Sequence, residues 1–362
     1  MPRLIDFLKN KSNDYSEIEK VFYKSIGEKL VGKNTLTKKH LNGNINEISY
    51  SVVIPSYGFT NYLNGLLISL DTQVYKKNFE VIIVANKNKN DEKYTPYTPK
   101  KYKLKLIDLN VNYGRAFARN IGLAYSKGRI ISFIDSDMLL PNNFIVEHLY
   151  RMSISDDLVL ASFYDNLSTA KYNQLLKKLI KNRFKFNGNY HDDFRYKQRF
   201  SFRDIEEGYN VTKPYINKDY YLLRDTNNFK KFGFDTKYGL WKLPDMLLTI
   251  AVTLNRNRAI LAGGFDTRFR GWGYEDAHFG AKLIATGAYI VPVYNCVPYR
   301  IRHVPRKGNS IEKHTQAKIN KSRYDRFLNQ EFNARRLIKT FMEKYSIKHL
   351  QNTGIVKSRI IS

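Results

Sequence analysis

Four short β-rich runs, separated by stretches of helical spacing, constrain this chain more than any other feature. Ile48 to Pro55 is the first and is closed by a proline; Phe79 to Ala85 is the second. Leu104 to Leu109 is a third, weaker run, and Arg129 to Ile134 is the fourth. Their apolar, β-branched composition predicts buried strands. Between the first two, Tyr62, Leu63, Leu66, Leu67 and Leu70 recur at helical spacing, and a second helix is expected over about Gly114 to Ser126. Strands that alternate with helices need crossover connections, which predicts a mostly parallel sheet with helices on both faces. Such a sheet is a nucleotide-binding architecture, with ligands at the carboxyl ends of its strands.

The rest of the chain divides around this core. Residues 1–48 are polar and helical in pattern, ending in the turn Asn42-Gly43-Asn44. A catalytic-type domain is expected over 49–305, split into a first half at 49–160, a basic insertion at 161–248 and a second half at 249–305. Residues 306–362 read as a basic helical extension, with fourteen Lys/Arg against four Asp/Glu from Arg306 onward. Within the insertion, residues 171–203 hold ten Lys/Arg and two Asp. There Leu175, Leu176, Leu179, Ile180 and Phe184 form an apolar face between Lys177, Lys178, Lys181 and Arg183. A basic amphipathic helix of this kind either lies on an anionic bilayer or packs on its own domain with the charges solvated.

Composition narrows the function classes. Hydrophobic residues at 43%, with 14% aromatics, exclude a disordered chain. A formal charge of +28 favours polyanions, anionic membrane surfaces or phosphorylated substrates, although a compositionally biased genome also produces a Lys-, Asn-, Ile- and Tyr-rich chain. Cys296 is the only cysteine, so no intrachain disulfide is expected, which fits a reducing compartment. The first ten residues carry charges throughout instead of an apolar signal-peptide centre, and no run approaches the roughly 18–20 apolar residues that span a bilayer. The expected location is the cytoplasm, free or peripheral on the inner face of the membrane.

Two segments carry chemistry. In Phe133-Ile134-Asp135-Ser136-Asp137, two carboxylates one residue apart follow a buried strand. A hard divalent cation takes oxygen ligands and keeps positions open for substrate phosphates. The plainer reading of such a pair is a capping or Asx turn. In the second segment, from Gly263 to Phe279, four glycines and a tryptophan fall within eleven residues, which implies a loop with close backbone approach. Glu275-Asp276 then opens an apolar helical run. Carboxylates are favoured in a helix's first turn by its dipole, and one here equally suits a general base acting on a hydroxyl.

Taken in order, these segments resemble the family 2 glycosyltransferases, a GT-A (Rossmann-like) fold, and especially the chondroitin-polymerase-like and β-galactosyltransferase-like branch with a Trp-Gly-x-Glu-Asp motif. Val52-Val53-Ile54-Pro55-Ser56-Tyr57 resembles the family's opening strand and turn, and Leu67 to Gln73 the helix after it. Asn112-Tyr113-Gly114-Arg115-Ala116-Phe117-Ala118-Arg119-Asn120-Ile121-Gly122 resembles its Asn-x-Gly…Ala-Arg-Asn-x-Gly stretch. Asn257 through Asp276 resembles its acceptor-side segment.

The resemblance implies a metal-dependent, inverting transfer of a sugar from a nucleotide-diphosphate sugar, UDP-linked by default, to a hydroxyl of a glycan or cell-surface polysaccharide precursor. It places Pro55, Tyr57, Asn86, Asn112, Gly114, Arg119, Asp135 and Ser136 at the donor. It assigns Asp135, Asp137 and His303 to Mn²⁺ or Mg²⁺, Asp276 to the base with Glu275 beside it, and Trp272, Gly273 and Tyr274 to the acceptor. One departure stands out. The family's second strand usually ends in Asp-Asp-Gly-Ser, whereas this chain reads Ala85-Asn86-Lys87-Asn88, leaving Asn86 as the polar group available to the base.

Three other readings compete. A sugar nucleotidylyltransferase needs a Gly-rich phosphate loop after the first strand, which Pro55 to Phe59 does not offer. A nucleic-acid-binding protein fits the charge, but no zinc-knuckle spacing or RNA-binding strand signature is present, so no specific nucleic acid partner is expected. A catalytically inactive sugar- or polyanion-binding relative would have lost carboxylates that are present here. The charged segments suggest a polyanionic acceptor or an anionic membrane surface as a further partner.

Overall fold

A computed structural model of the protein describes residues 2–10, 45, 48–57, 61–86, 97–153, 155–162, 164–181, 196–197, 221–222, 244, 247–293, 298–301 and 309–361. Most of the N-terminal extension, most of the basic insertion and His303 lie outside the described residues.

In chain order the elements are α1 (Leu4–Asn10), β1 (Tyr50–Tyr57), α2 (Asn61–Asp71), β2 (Phe79–Asn86), β3 (Tyr102–Leu109), α3 (Arg115–Tyr125), β4 (Ile130–Ile134) and β5 (Met138–Leu139). Then come α4 (Phe144–Met152), β6 (Leu158–Ser162), β7 (Asp165–Leu167), α5 (Thr169–Lys181), and the short β8 (Tyr196–Lys197) and β9 (Tyr221–Leu222). The second half holds β10 (Ala251–Asn255), α6 (Arg256–Leu261), α7 (Glu275–Ala285), β11 (Tyr289–Val293) and β12 (Tyr299–Ile301). The chain ends in α8 (Asn309–Leu328), α9 (Ala334–Lys344), α10 (Ile347–Asn352) and β13 (Val356–Ile360).

The central sheet has eight strands in the order β11-β6-β10-β4-β1-β2-β3-β13. β1 pairs in parallel with both β2 and β4, β2 with β3, and β6 with β11. Only β10 and β13 run antiparallel to their neighbours. This is the mostly parallel, helix-flanked sheet expected from the sequence, and the four anticipated strands are its centre. The chain runs outward from β1 to β3, then returns across β1 to β4. That reversal opens a crevice at the carboxyl ends of β1 and β4, where open α/β sheets bind ligands.

Burial explains why these runs became strands. Val52, Val53, Ile54, Val81, Ile82, Ile83 and Phe133 are all fully buried, as a sheet covered on both faces requires. Pro55 comes after the last β1–β4 pair, Val53 with Phe133, where a residue without an N–H is tolerated. Gly122 on α3 lies so close to β1 that a Cβ there would meet Val53 Cγ1 at 2.1 Å. The helix therefore needs glycine to seat on the sheet.

Two features go beyond the sequence reading. The segment after 306 is helical, as expected, but its last strand, β13, also completes the sheet beside β3. The amphipathic helix expected near 175–184 is α5. Its Tyr172, Leu175 and Leu176 pack with Tyr62, Leu139 and Ile301, so this helix rests on its own domain.

Candidate active site

The Asp135-Ser136-Asp137 turn caps β4 at the crevice. Asp135 N–H donates to Ile250 O at 2.9 Å, Met138 N–H to Asp135 O at 3.3 Å, and Ile301 N–H to Asp137 O at 3.0 Å. The turn is thus tied to β10 on one side and β12 on the other. Ser136 is half-buried between the two carboxylates.

Arg119 organises the interior. Its side chain is 1% exposed, and its guanidinium donates to Asp135 Oδ1 at 3.0 Å, Asp276 Oδ1 at 3.1 Å and Glu275 Oε1 at 3.4 Å. The Phe265 ring lies 5.3 Å from the same guanidinium. Burial alone would push the Arg119 pKa down, but the three carboxylates more than offset it and the pKa is raised. A buried cation touching both halves of the chain brings the metal-type turn and the Glu275-Asp276 pair into one site. The sequence reading placed Arg119 near the donor and did not foresee this joining role.

Glu275 and Asp276 open α7, as expected, but their surroundings differ. Glu275 is buried and also meets Arg115 Nη2 at 3.1 Å. Although burial raises its pKa, Arg115 and Arg119 bring it below the ordinary glutamate value. Asp276 is 18% exposed and accepts from Thr249 N–H at 3.1 Å and from Thr249 Oγ1 at 2.6 Å. Burial, then the Glu275 charge, raise its pKa to about 6 against the opposing pull of Arg119, Arg115 and Thr249. One carboxylate of the pair is held charged and the other is poised near neutrality. That split is the usual mark of an acid/base group with a charged companion.

The loop before α7 is built from positive-φ residues: Gly271 at 74°, Gly273 at 94° and Tyr274 at 70°. Tyr274 has a side chain in the left-handed region, a strain of about 1–3 kcal/mol that its surroundings must hold. The clamp comes from α8. Asn320, fully buried, donates from Nδ2 to Arg270 O at 2.9 Å and to Trp272 O at 3.0 Å, and Tyr324 packs on Tyr274 with ring centroids 5.6 Å apart. Arg115 adds a bond to Gly271 O at 3.3 Å. Trp272 and Gly273 are half-buried within this loop.

Among the residues expected at the donor, Tyr57 ends β1 at 60% exposure, in register with Asn86 at the end of β2. Asn86 is 2% exposed; its Oδ1 accepts from Tyr113 N–H at 3.2 Å and its Nδ2 donates to Gly114 O at 3.4 Å. Asn112 Oδ1 accepts from Gly114 N–H at 2.9 Å. Both asparagine side chains therefore shape the 112–114 turn, where Gly114 has φ 88°.

Sequence reasoning missed four residues here: Thr249, Arg115, Asn320 and Arg300. The last sits on β12, which pairs Arg300 with Met138 and so sets its Nε 3.2 Å from Asp137 Oδ2. Arg115 lies inside a stretch the resemblance had already picked out, and Arg300 three residues before His303. Thr249 and Asn320 carry no sequence signal, because their partners are far away along the chain.

The residues suit a divalent cation. Asp135 and Asp137 are oxygen donors on one turn, 16% and 13% exposed, and a hard cation bound by one or two carboxylates completes its shell with water and substrate phosphates. Among the described residues no group of three metal-ligating side chains converges, and His303, expected as a further ligand, lies outside them.

Comparison with known proteins finds glycosyltransferases. Residues 51–212 match the family described as "Glycosyl transferase family 2", a span that includes the Asp135–Asp137 turn and stops before Glu275. An uncharacterised glycosyltransferase of Bacillus subtilis, YfnE, is 25% identical over 250 residues, covering 66% of this chain and 60% of that protein. WfgD of Escherichia coli, a UDP-Glc:α-D-GlcNAc-diphosphoundecaprenol β-1,3-glucosyltransferase, is 26% identical over 140 residues, or 35% of this chain and 54% of that one. Chondroitin synthase of Pasteurella multocida is 22% identical over 316 residues, or 80% of this chain but 27% of the synthase. The chain thus spans between 27% and 60% of these three relatives' lengths. Among the described residues, no helix is long and apolar enough to cross a membrane.

Proposed function

We propose that this chain is a metal-dependent, inverting glycosyltransferase of the Trp-Gly-x-Glu-Asp branch, moving a sugar from a nucleotide-diphosphate donor to a hydroxyl of a glycan acceptor. The observation that carries the reading is the buried Arg119, which holds Asp135, Glu275 and Asp276 around one crevice. Asp276 is the base. Its oxygen removes the acceptor hydroxyl's proton as that oxygen attacks the anomeric carbon, and the bond to the diphosphate breaks on the opposite face. Its raised pKa suits proton abstraction, because the carboxylate is ionised at pH 7 yet basic enough to take a proton.

Asp135 and Asp137 would hold Mn²⁺ or Mg²⁺, with His303 as an added ligand; such an ion supplies charge neutralisation for the departing diphosphate. Arg300 supplies a second cation beside the same turn, its pKa raised by Asp137, Asp135 and Tyr164 despite burial. Tyr57 offers its exposed ring face to the donor's base, while Asn86 and Asn112 support the wall behind it through the 112–114 turn. Trp272 and Tyr274 line the acceptor approach. UDP-sugars are the first donors to try, since the related WfgD uses UDP-Glc by name.

The test is a thermal-shift panel of nucleoside diphosphates and nucleotide sugars, with and without Mn²⁺ or Mg²⁺. A ligand at a hundred times its dissociation constant stabilises the fold by about 2.7 kcal/mol. A metal-dependent shift with one nucleotide, followed by transfer to a hydroxyl acceptor, is the expected result. Absence of any shift across the panel would refute the reading.

A second reading concerns the acceptor. The exposed Arg335, Arg336, Lys339, Lys344 and Lys348 on α9 and α10 favour a polyanionic glycan or an anionic membrane face. Juxtamembrane basic residues contribute about 1 kcal/mol each close to an anionic surface. Co-sedimentation at low salt with anionic but not neutral vesicles is expected if the surface is a membrane; equal partitioning would exclude that version.

A further inference from the structure

Behind α7, on the side away from Asp276, a cavity of about 460 Å³ lies between the Gly263–Arg268 segment, α7, α8 and α9. The proposed transfer makes no use of it. Its floor is aromatic, from Phe265, Phe327 and Phe341, and its rim carries the exposed Arg336 and Lys344. Lys282 enters from α7, 4% exposed, with Nζ donating to Gly264 O. Arg268 is paired with Asp266 at 2.6 Å and lies over the Phe327 ring; Lys282, Arg336, Lys344 and Glu331 are the other charged groups of the lining.

The second observation is His278. It is 5% exposed, lines the cavity, and its Nδ1 has no hydrogen-bond partner among the described residues. Burial, then Lys282, lower its pKa to about 3, so the ring is neutral and Nδ1 is free to donate or accept. Asp266 Oδ2 lies 3.8 Å from it, too far for a bond. A hydroxyl oxygen placed about 2.8 Å from each would pair with both. A buried polar nitrogen left unpaired is costly unless something supplies that contact.

We infer that this cavity binds a phosphorylated sugar, with a ring hydroxyl bridging His278 Nδ1 and Asp266, the apolar ring face on the phenylalanines, and the phosphate on Lys282, Arg336 and Lys344. The volume lies within the ~300–1,000 Å³ of small-ligand sites. An aromatic floor suits the C–H face of a sugar, and the cationic rim suits its anion. Because α7 carries Asp276 at one end and His278 and Lys282 in the cavity, the occupant touches the same helix as the catalytic pair without entering the transfer site.

The test is calorimetric titration of the full chain with glucose 6-phosphate, without nucleotide or metal. We expect one saturable site, weakened by at least about tenfold in the double variant Arg336→Ala/Lys344→Ala and unchanged in Asp137→Ala. His278→Leu should also weaken binding by about tenfold while leaving the melting temperature the same or higher, because it removes an unpaired buried polar atom. A methyl phosphodiester of the same sugar separates the two sources: tighter binding of the monoester marks a free metabolite, and tighter binding of the diester marks a unit of a phosphate-bearing polymer. No binding at millimolar ligand overturns the inference, as does binding lost in Asp137→Ala or unaffected by the rim variant. Inorganic phosphate binding as tightly as glucose 6-phosphate removes the sugar from it.

Discussion

Two arginines face the Asp135-Ser136-Asp137 turn, one on each side, in different settings. Arg119 is 1% exposed and shared among three carboxylates from both halves of the chain. Arg300 is 32% exposed and meets Asp137 from a short strand at the edge of the crevice. The first is a structural counter-charge: removing it strands buried anions. The second is placed where an anionic ligand can compete for it or share it. The same chemical pair, guanidinium and carboxylate, therefore supports assembly on one side and, in the proposed function, donor binding on the other. Burial decides which.

The comparison breaks most readily at Arg119. Arg119→Met should destabilise the fold by about 3–5 kcal/mol at pH 8, measured by urea unfolding, because uncompensated buried charge is left behind. The loss should shrink toward pH 5 as those carboxylates take up protons. A loss below about 1 kcal/mol would mean that the carboxylates are solvated and the contrast with Arg300 is false.

Next comes the base. Asp276→Asn should lower the transfer rate by about 10²–10⁴ and leave donor binding intact. The parent's rate should fall as pH drops through about 6, where Asp276 becomes protonated. The linked stability has a definite sign. A carboxyl pKa raised in the fold favours the native state at low pH, and that contribution is lost as pH rises through about 6. Asn at 276 mimics the neutral form, so its melting temperature at pH 8 should not fall below the parent's. A fully active Asp276→Asn would remove the base assignment.

Arg300→Gln sharpens the other side with a smaller effect. It should weaken nucleoside diphosphate binding by about 1.5–3 kcal/mol, typical of a hydrogen bond to a charged group, and leave unfolding within about 1 kcal/mol of the parent. A large stability loss would place Arg300 with Arg119 as a structural cation. Smallest of all, Asn320→Ala should leave donor binding unchanged. It should reduce acceptor-dependent transfer by loosening the Arg270 and Trp272 carbonyls, read as a raised KM for the acceptor.

Much of this was legible in the sequence. Local composition is enough to identify β1, β2 and β4, because a strand buried on both faces must be apolar along its length. By contrast β3, with Lys103 exposed and Lys105 and Asp108 half-buried, gives a weaker signal. The order of motifs placed Asp135, Asp137, Glu275 and Asp276 at strand and helix ends, where backbone geometry leaves side chains facing a crevice. Gly122 was present in a motif, but its reason, the contact with Val53, appears only when α3 packs on the sheet.

What the sequence by itself determined, then, was the sheet's centre and the identity of the acidic groups, since both follow from short-range pattern. Only the tertiary structure decided what those groups face. Arg119 lies 156 residues from Glu275 and 157 from Asp276, and Arg300 lies 163 from Asp137. Asn320, on a helix that reads as a basic extension, reaches back 48 residues to hold the Trp272 carbonyl. A charge's partner, and hence its pKa and its role, depends on distances of a few ångströms that spacing along the chain does not encode.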